Sequence, residues 1–338
     1  MKATSFFFNF LFLFQTLVCA NHQVGVHSMA IIGGGPSGLT SALYAARFGI
    51  DCILFEGDQP GGQLVYSTQV ENYPGYFPSA AGKDLVSLMR SQALEAGAKI
   101  ESQWVKKIDF SKRPFDIYLA SGAVEKARSI ILAVGAKPKQ LGLASEKTFW
   151  GRGVSSCALC DGPLYRDLEV VVVGAGDAAF DEALTLSAIA KKVTILHRSE
   201  KVRASFYLQQ QVKKRGNVQI CLSSIVEEIL GDDQRGVVGV KVYHPLEQTH
   251  SVIECAGVFI AIGQQPDTEW LGQEIKKDTY GYIILETGTC KTSVAGVFAA
   301  GDACDHKYRQ AITAAASGCR ASIEAREYLN HMDHEVEE

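Results

Sequence analysis

Cys157 and Cys160 are separated by Ala158 and Leu159 and followed at once by Asp161. Two thiols at this spacing can close a disulfide, and a CxxC arrangement can depress the pKa of one of them. An adjacent carboxyl could give and take the proton of a leaving thiolate. Asp161 could equally be an ordinary helix-capping aspartate. The pair could also be half of a zinc site, but the chain holds no second CxxC and no zinc-finger histidine pair. We therefore read the pair as a redox dithiol and expect no metal. The other seven of the nine cysteines are read as structural.

Two glycine-rich turns accompany the pair. GGGPSG begins at Gly33 and GAGDAA at Gly174. In the first, Gly33 permits a tight turn and Gly35 lets the backbone approach a pyrophosphate. Gly38 lets the following helix, which also carries Ser37, pack on the strand. Gly174, Gly176 and Ala179 repeat the pattern. The two units end on residues of opposite charge. The first ends on Glu56, an acid positioned to accept ribose hydroxyls and to repel a 2′-phosphate, which suits FAD or NAD. The second ends on His197 and Arg198, with Arg203 shortly after. Cations there suit a 2′-phosphate, hence NADPH.

The elements that must position these residues are legible around them. An apolar run at 29–32 leads into the first turn, a helical pattern continues over 37–48, and a second apolar run fills 52–55. The second copy reads the same way: an apolar run at 170–173, a helix over about 177–189 and a strand at 193–196. Each copy is strand, glycine turn, helix, strand, and both span the same distance from first glycine to final residue. This predicts an α/β fold with two Rossmann-like dinucleotide-binding domains. The length of 338 residues fits about two domains of roughly 150 residues each. Hydrophobic residues at 47% and charged residues at 21% describe an ordinary globular chain, not a disordered, collagen-like or multi-span membrane protein. A net charge of −4 gives no drive toward nucleic acid.

The odd cysteine count in a large chain points to a reducing compartment. The N-terminus points elsewhere. Lys2 precedes an uncharged stretch over 3–20 that ends in Val18-Cys19-Ala20, like a cleavage site. Three readings stay open: a signal peptide, a start codon set too far upstream, or a short membrane anchor. The absence of arginine argues against a mitochondrial transit peptide. We expect a cytoplasmic protein without membrane association, or an exported one if residues 1–20 are a true signal.

From about residue 27 to 329 the chain resembles the low-molecular-weight thioredoxin reductases. The most specific block is GRGVSSCALCDG at 151–162. PGGQL at 60–64, VENYPG at 70–75, GVFAAGD at 296–302 and YRQA at 308–311 also match. The resemblance implies a homodimer that reduces thioredoxin with NADPH through FAD. It puts Gly62, Gln63, Asn72, Arg309, Gln310 and Ala311 near the flavin and Asp302 at the ribityl–pyrophosphate region. Cys160 becomes the flavin-side sulfur. It also implies an NADPH domain inserted into the FAD domain. The expected division is an extension at 1–28, FAD-binding segments at 29–137 and 265–330, the NADPH domain with the CxxC at 138–264, and a polar, fraying tail at 331–338. Three positions depart from the family. The HRRxxxR phosphate clamp carries Ser199 in place of its second arginine, with Glu200 beside it. The ATG-type turn is Ala133-Val134-Gly135. Pro163-Leu164 replaces an aromatic pair. The rival reading is a related FAD-dependent dithiol oxidase, or a reductase of another small dithiol or disulfide substrate.

Overall fold

The computed structural model describes residues 25–58, 60–78 and 80–337. The expected extension at 1–28 therefore lies almost wholly outside the described residues, together with Cys19.

The first sheet is built from β1 (Val26–Ile32), β2 (Cys52–Phe55), β3 (Lys99–Glu101), β4 (Val105–Asp109), β5 (Phe115–Leu119) and β6 (Val124–Leu132), in the order β3-β2-β1-β6-β5-β4. The β1–β2, β2–β3 and β1–β6 pairs are parallel, and β4, β5 and β6 pair antiparallel. Side chains alternate across a strand. Ala30 and Ile32 therefore enter one core with Phe55 and Phe115, while Met29 and Ile31 enter another with Leu39, Ala42 and Leu54. Burial on both faces is why β1 and β2 read as continuous apolar runs. Helices α1 (Pro36–Arg47) and α2 (Gly82–Glu95) belong to this unit. Proline at the start of α1 suits a position whose N–H would have no helical partner.

The chain leaves this sheet through β7 (Ala136–Pro138) and α3 (Ala144–Phe149), and β8 (Val154–Ser155) leads to the short α4 (Ala158–Asp161). Then come β9 (Glu169–Val173), α5 (Asp177–Ser187), β10 (Lys192–Leu196), α6 (Phe206–Lys213) and β11 (Val218–Cys221). An antiparallel trio comes next, β12 (Ile225–Asp232), β13 (Gly236–His244) and β14 (Thr249–Glu254), and then β15 (Gly257–Ile260). The second sheet is all parallel, ordered β11-β10-β9-β15-β8. β16 (Gln264–Pro266) pairs antiparallel with β7, and Gln264 stands opposite Pro138. After that the chain is back at the first sheet. β17 (Val297–Ala299) joins the C-terminal half of β6, whose N-terminal half is already paired with β5. The outward and return passes thus lie side by side.

The last helix, α7 (Ala311–Glu337), crosses α1, where the Ser41 hydroxyl donates to Gly318 O at 3.1 Å. The tail expected to fray instead continues this helix, and Asp333 forms an ion pair with Arg128. A cross-chain anchor of that kind is invisible to a reading of tail polarity. Among the described residues no helix is long and apolar enough to cross a membrane.

Candidate active site

Cys157 and Cys160 are joined in a disulfide, with Cα atoms 5.3 Å apart. Cys157 sits just before α4 and takes the Cys160 N–H on its sulfur at 3.1 Å. Asp161 stands at the N-cap position of a 3-10 turn at Gly162–Tyr165, but its side chain makes no capping bond there. It ends α4, and its carboxylate accepts the Ser155 hydroxyl at 2.5 Å. Ser155 Oγ also accepts the Cys157 N–H at 3.1 Å, so one hydroxyl ties the acid to the first cysteine. Burial raises the Asp161 pKa, and the Ser155 bond works against that rise. Leu159, between the cysteines, is 65% exposed, so part of this segment is open to a partner.

Across from the disulfide stands Gln310, just before α7. Its Nε2 lies 3.9 Å from Cys157 Sγ and 4.0 Å from Cys160 Sγ. Its Oε1 accepts from Asn72 Nδ2 at 3.2 Å. Three widely separated segments named from sequence therefore meet at one point. Arg309 precedes Gln310 with φ +48, held by its N–H on Asp305 Oδ2 at 3.0 Å. Asp305 takes the Lys307 and Tyr308 N–H groups as well, and so shapes the whole turn.

Behind this cluster lies the first glycine turn. Gly33 has φ +118, and a Cβ there would stand 2.2 Å from Ala133 O. At Gly38 a Cβ would meet Gly33 O at 1.8 Å, so the helix could not seat with any side chain. Gly62 stands next to Gly35, and Gly301 abuts Ser37. Ser37 Oγ is buried without a hydrogen-bond partner. Burying a hydroxyl unpaired is costly, so an orphan at this turn fits a ligand oxygen. Asp302, beside Gly301, has its pKa raised to about 6, chiefly by burial. Gln63 is exposed beside Gly62, and Ala311 opens α7.

Glu56 is more committed than its sequence position implied. Its carboxylate receives Arg90 through two bonds of 3.0 Å and Ser102 Oγ at 2.8 Å, and its side chain is 1% exposed. Its charge is paired and its carboxylate oriented by two residues that the sequence reading did not single out.

The second turn copies the first. Gly174 N donates to Leu196 O at 2.9 Å, as Gly33 N does to Phe55 O at 2.9 Å. Gly174 has φ +141, and a Cβ on Gly176 would meet nothing within 4 Å, which leaves room for a ligand. Ala179 is buried under the turn. Arg203 N binds Ala175 O at 2.8 Å, which brings its segment against the glycine loop. Arg198 and Arg203 are exposed, and neither pairs with a carboxylate among the described residues. His197 is buried, and burial and the two arginines lower its pKa. Ser199, which replaces the clamp arginine, bonds His197 Nε2 at 2.9 Å.

The pyridine nucleotide-disulphide oxidoreductase family profile matches residues 27–318. The chain belongs to that family. A thioredoxin reductase of Rickettsia felis is 47% identical over 301 residues, 89% of this chain and 97% of the relative. The thioredoxin reductase structure from Streptococcus pyogenes shares 34% identity with a TM-score of 0.86, covering 91% of this chain and 99% of that one. The Lactococcus lactis thioredoxin reductase in its FR conformation shares 33% identity over 90% of this chain and 99% of that one, but its TM-score is 0.61. The chain is thus an enzyme of flavin- and pyridine-nucleotide-linked disulfide chemistry and groups with the thioredoxin reductases. The relatives were foreseeable from the CxxC block. Ser155, Asp305, Arg90 and Ser102 were not, because nothing in their local sequence marks their partners.

Proposed function

We propose that the enzyme is a thioredoxin-disulfide reductase that uses NADPH and FAD. The observation that carries this reading is the approach of Gln310 to both sulfurs, with Asn72 behind it. It brings the redox pair against the segments that the family resemblance assigns to the flavin.

FAD fits the first glycine turn, where Ser37 Oγ lacks a partner and Glu56 is held ready. Gly33, Gly35, Gly38, Gly62, Gln63, Asn72, Asp302, Arg309, Gln310 and Ala311 would complete its site. NADPH fits the second, with Gly174, Gly176, Ala179 and His197 at the turn and Arg198 and Arg203 as free cations. Bound in its site, FAD supplies two-electron transfer between the nicotinamide and the disulfide. Residues 138–264 would form the NADPH domain, inserted between FAD-binding segments at 29–137 and 265–330.

The reduced pair then acts by itself. The Cys157 thiolate attacks the disulfide of oxidised thioredoxin, breaking its S–S bond and forming a mixed disulfide. The Cys160 thiolate then attacks Cys157 Sγ and displaces the thioredoxin sulfur, closing the 157–160 disulfide and leaving thioredoxin as the dithiol. Two electrons pass to thioredoxin, and its two sulfurs take up the two protons. The Cys160 N–H on Cys157 Sγ favours a thiolate at Cys157, which suits it as attacker. Asp161, its pKa raised by burial, holds a proton for the leaving sulfur. As in the family, the enzyme would act as a homodimer, and a reaction that consumes NADPH would suit the cytoplasm, which holds an NADPH pool.

The test is NADPH-dependent reduction of oxidised thioredoxin by the purified protein, followed with a dithiol reporter. Stoichiometric thiol formation supports the reading. Oxygen-dependent disulfide formation in a dithiol substrate, with no NADPH consumed, would replace it with the dithiol oxidase.

A further inference from the structure

Ala179, Ala183 and Leu186 form the buried face of α5, spaced four and three residues apart. Glu182 falls on that same face, an acid among small apolar groups. Opposite it is the segment between the two cysteines. Ala158, 2% exposed, donates its N–H to Glu182 Oε2 at 2.9 Å. The carboxyl is therefore bonded to the residue next to Cys157, from a second element that no part of the proposed mechanism uses.

We propose that Glu182 is a positioning residue of the dithiol centre, which holds the 157–160 segment through Ala158 and sets by its charge how readily the adjoining thiol ionises. The inference rests on the reading that this pair cycles between disulfide and dithiol.

The charged groups around Glu182 come from three elements. Asp161 faces it from α4, Asp181 neighbours it on α5, and Arg309 reaches it from the turn before α7. Burial dominates and pushes its pKa up to about 7, aided by the two aspartates and opposed by Ala158 N–H and Arg309. Near neutral pH the carboxyl thus exists in both forms. Either form accepts the Ala158 N–H, so the segment stays held. Only the ionised form opposes a neighbouring thiolate, since like charges at close range each raise the pKa of the other. Thiolate formation and Glu182 ionisation should compete, and the two titrations should be coupled. Arg309 also acts on Asp302, so one cation links the carboxyl at the dithiol to the carboxyl at the flavin segment.

The experiment opens the disulfide of the FAD-loaded enzyme with dithiothreitol, removes the reductant under anaerobic conditions, and follows iodoacetamide alkylation of Cys157 and Cys160 by mass spectrometry from pH 5.5 to 9. Glu182→Gln keeps an acceptor for Ala158 and removes the charge. A like charge moves a neighbouring pKa by roughly one unit or more, so the Gln variant should alkylate about tenfold faster near pH 7.5. Its profile should also become a simple single ionisation. Glu182→Ala, which loses the acceptor too, should shift in the same direction. A Gln profile that superimposes on wild type overturns the inference and leaves Glu182 as a backbone brace. The wild-type chain supplies an independent check should the Gln variant fail to take up FAD. A wild-type profile that follows one ionisation, with no inflection near pH 7, overturns the inference equally. A parallel arm replaces dithiothreitol with NADPH. If NADPH frees neither thiol in wild type, the redox reading fails, whatever the alkylation profiles show.

Discussion

Cys157 and Cys160 face different surroundings although their sulfurs are bonded. Cys157 receives a backbone N–H on its sulfur, and Gln310 Nε2 stands about equally far from the two sulfurs, 3.9 Å from Cys157 Sγ and 4.0 Å from Cys160 Sγ. The family resemblance makes Cys160 the flavin-side sulfur, and on that assignment single serine variants should differ. Cys157→Ser leaves a thiolate on the flavin side and should show a long-wavelength absorbance that fades as acid protonates the thiol. Cys160→Ser leaves the attacking sulfur without a partner and should trap a mixed disulfide with a thioredoxin that lacks its own resolving cysteine. Both should lose thioredoxin reduction, since closing the disulfide needs both sulfurs. An absorbance band in Cys160→Ser instead would invert the assignment. Asp161 gives a second prediction. Burial raises its pKa above the ordinary value, so its protonated form persists to higher pH, and activity should fall as pH rises through that raised pKa. Ser155→Ala removes the one contact that lowers it, so the falling limb should move to higher pH. Asp161→Asn should slow turnover by about 10²–10⁴ and abolish that limb. An unchanged pH profile in Ser155→Ala would show that another group controls it. At this scale the dithiol and its acid were legible because three residues in one short stretch carry the signal. Gln310 meets Cys160 across 150 residues of chain, and only the family resemblance brought it into view. Glu182 was legible in principle, as an acid on the apolar stripe of a helix, but a reading that stops at glycine spacing passes over it.

At the scale of elements, the strand–turn–helix units were read almost to the residue. The second apolar run coincides with β2 at Cys52–Phe55, and the 29–32 run lies within β1 at Val26–Ile32. The second helix ends at Ser187, two residues short of the expected end, where the chain turns through Leu186 and Thr185 carbonyls. Glycine turns and doubly buried strands are local features, and they survive translation into sequence. The fork of β6 between β5 and β17 does not, because it depends on a strand arriving more than 160 residues later. The end of β10 carries a prediction of its own. With Ser199 turned onto His197, Arg198 and Arg203 are the arginines of this segment left for a 2′-phosphate. A charge-assisted contact is worth ~1.5–3 kcal/mol, or roughly one to two decades of affinity. Arg198→Ala should raise the KM for NADPH by about that factor and leave NADH nearly unaffected. Equal losses with both nucleotides would mean that the arginine supports the fold.

At the scale of the whole chain, the N-terminal stretch bears on where the enzyme works. A reductase that draws on NADPH, as proposed, gains nothing from export, so the native protein should be recovered from the cytosol and should not begin at Asn21. Sequencing that finds a start at Asn21 in protein recovered outside the cytosol would make the stretch a signal peptide.

The arrangement of the two sheets raises a further demand. The disulfide faces Gln310, so with FAD in the proposed site a nicotinamide would compete with the disulfide for one face of the flavin. Two thioredoxin reductases of nearly equal identity to this chain, 34% and 33%, differ in TM-score, 0.86 against 0.61. Equal sequence distance and equal coverage with unequal superposition are what two rigid units in different mutual orientations produce. The outward and return passes of the chain, β7 and β16, form a two-stranded ribbon suited to act as the hinge. Locking the present orientation should therefore block hydride entry. Gln310→Cys combined with Cys157→Ser sets a new thiol across the two units from Cys160, and oxidation should join them. The oxidised double variant should take hydride from NADPH at least tenfold more slowly than the same protein after dithiothreitol, measured by bleaching of the flavin absorbance. Mass spectrometry of the cross-link establishes that the lock has formed. A locked enzyme that bleaches as fast as the unlocked one would show that nicotinamide and flavin meet without any rotation, and the hinge assigned to β7 and β16 would be wrong.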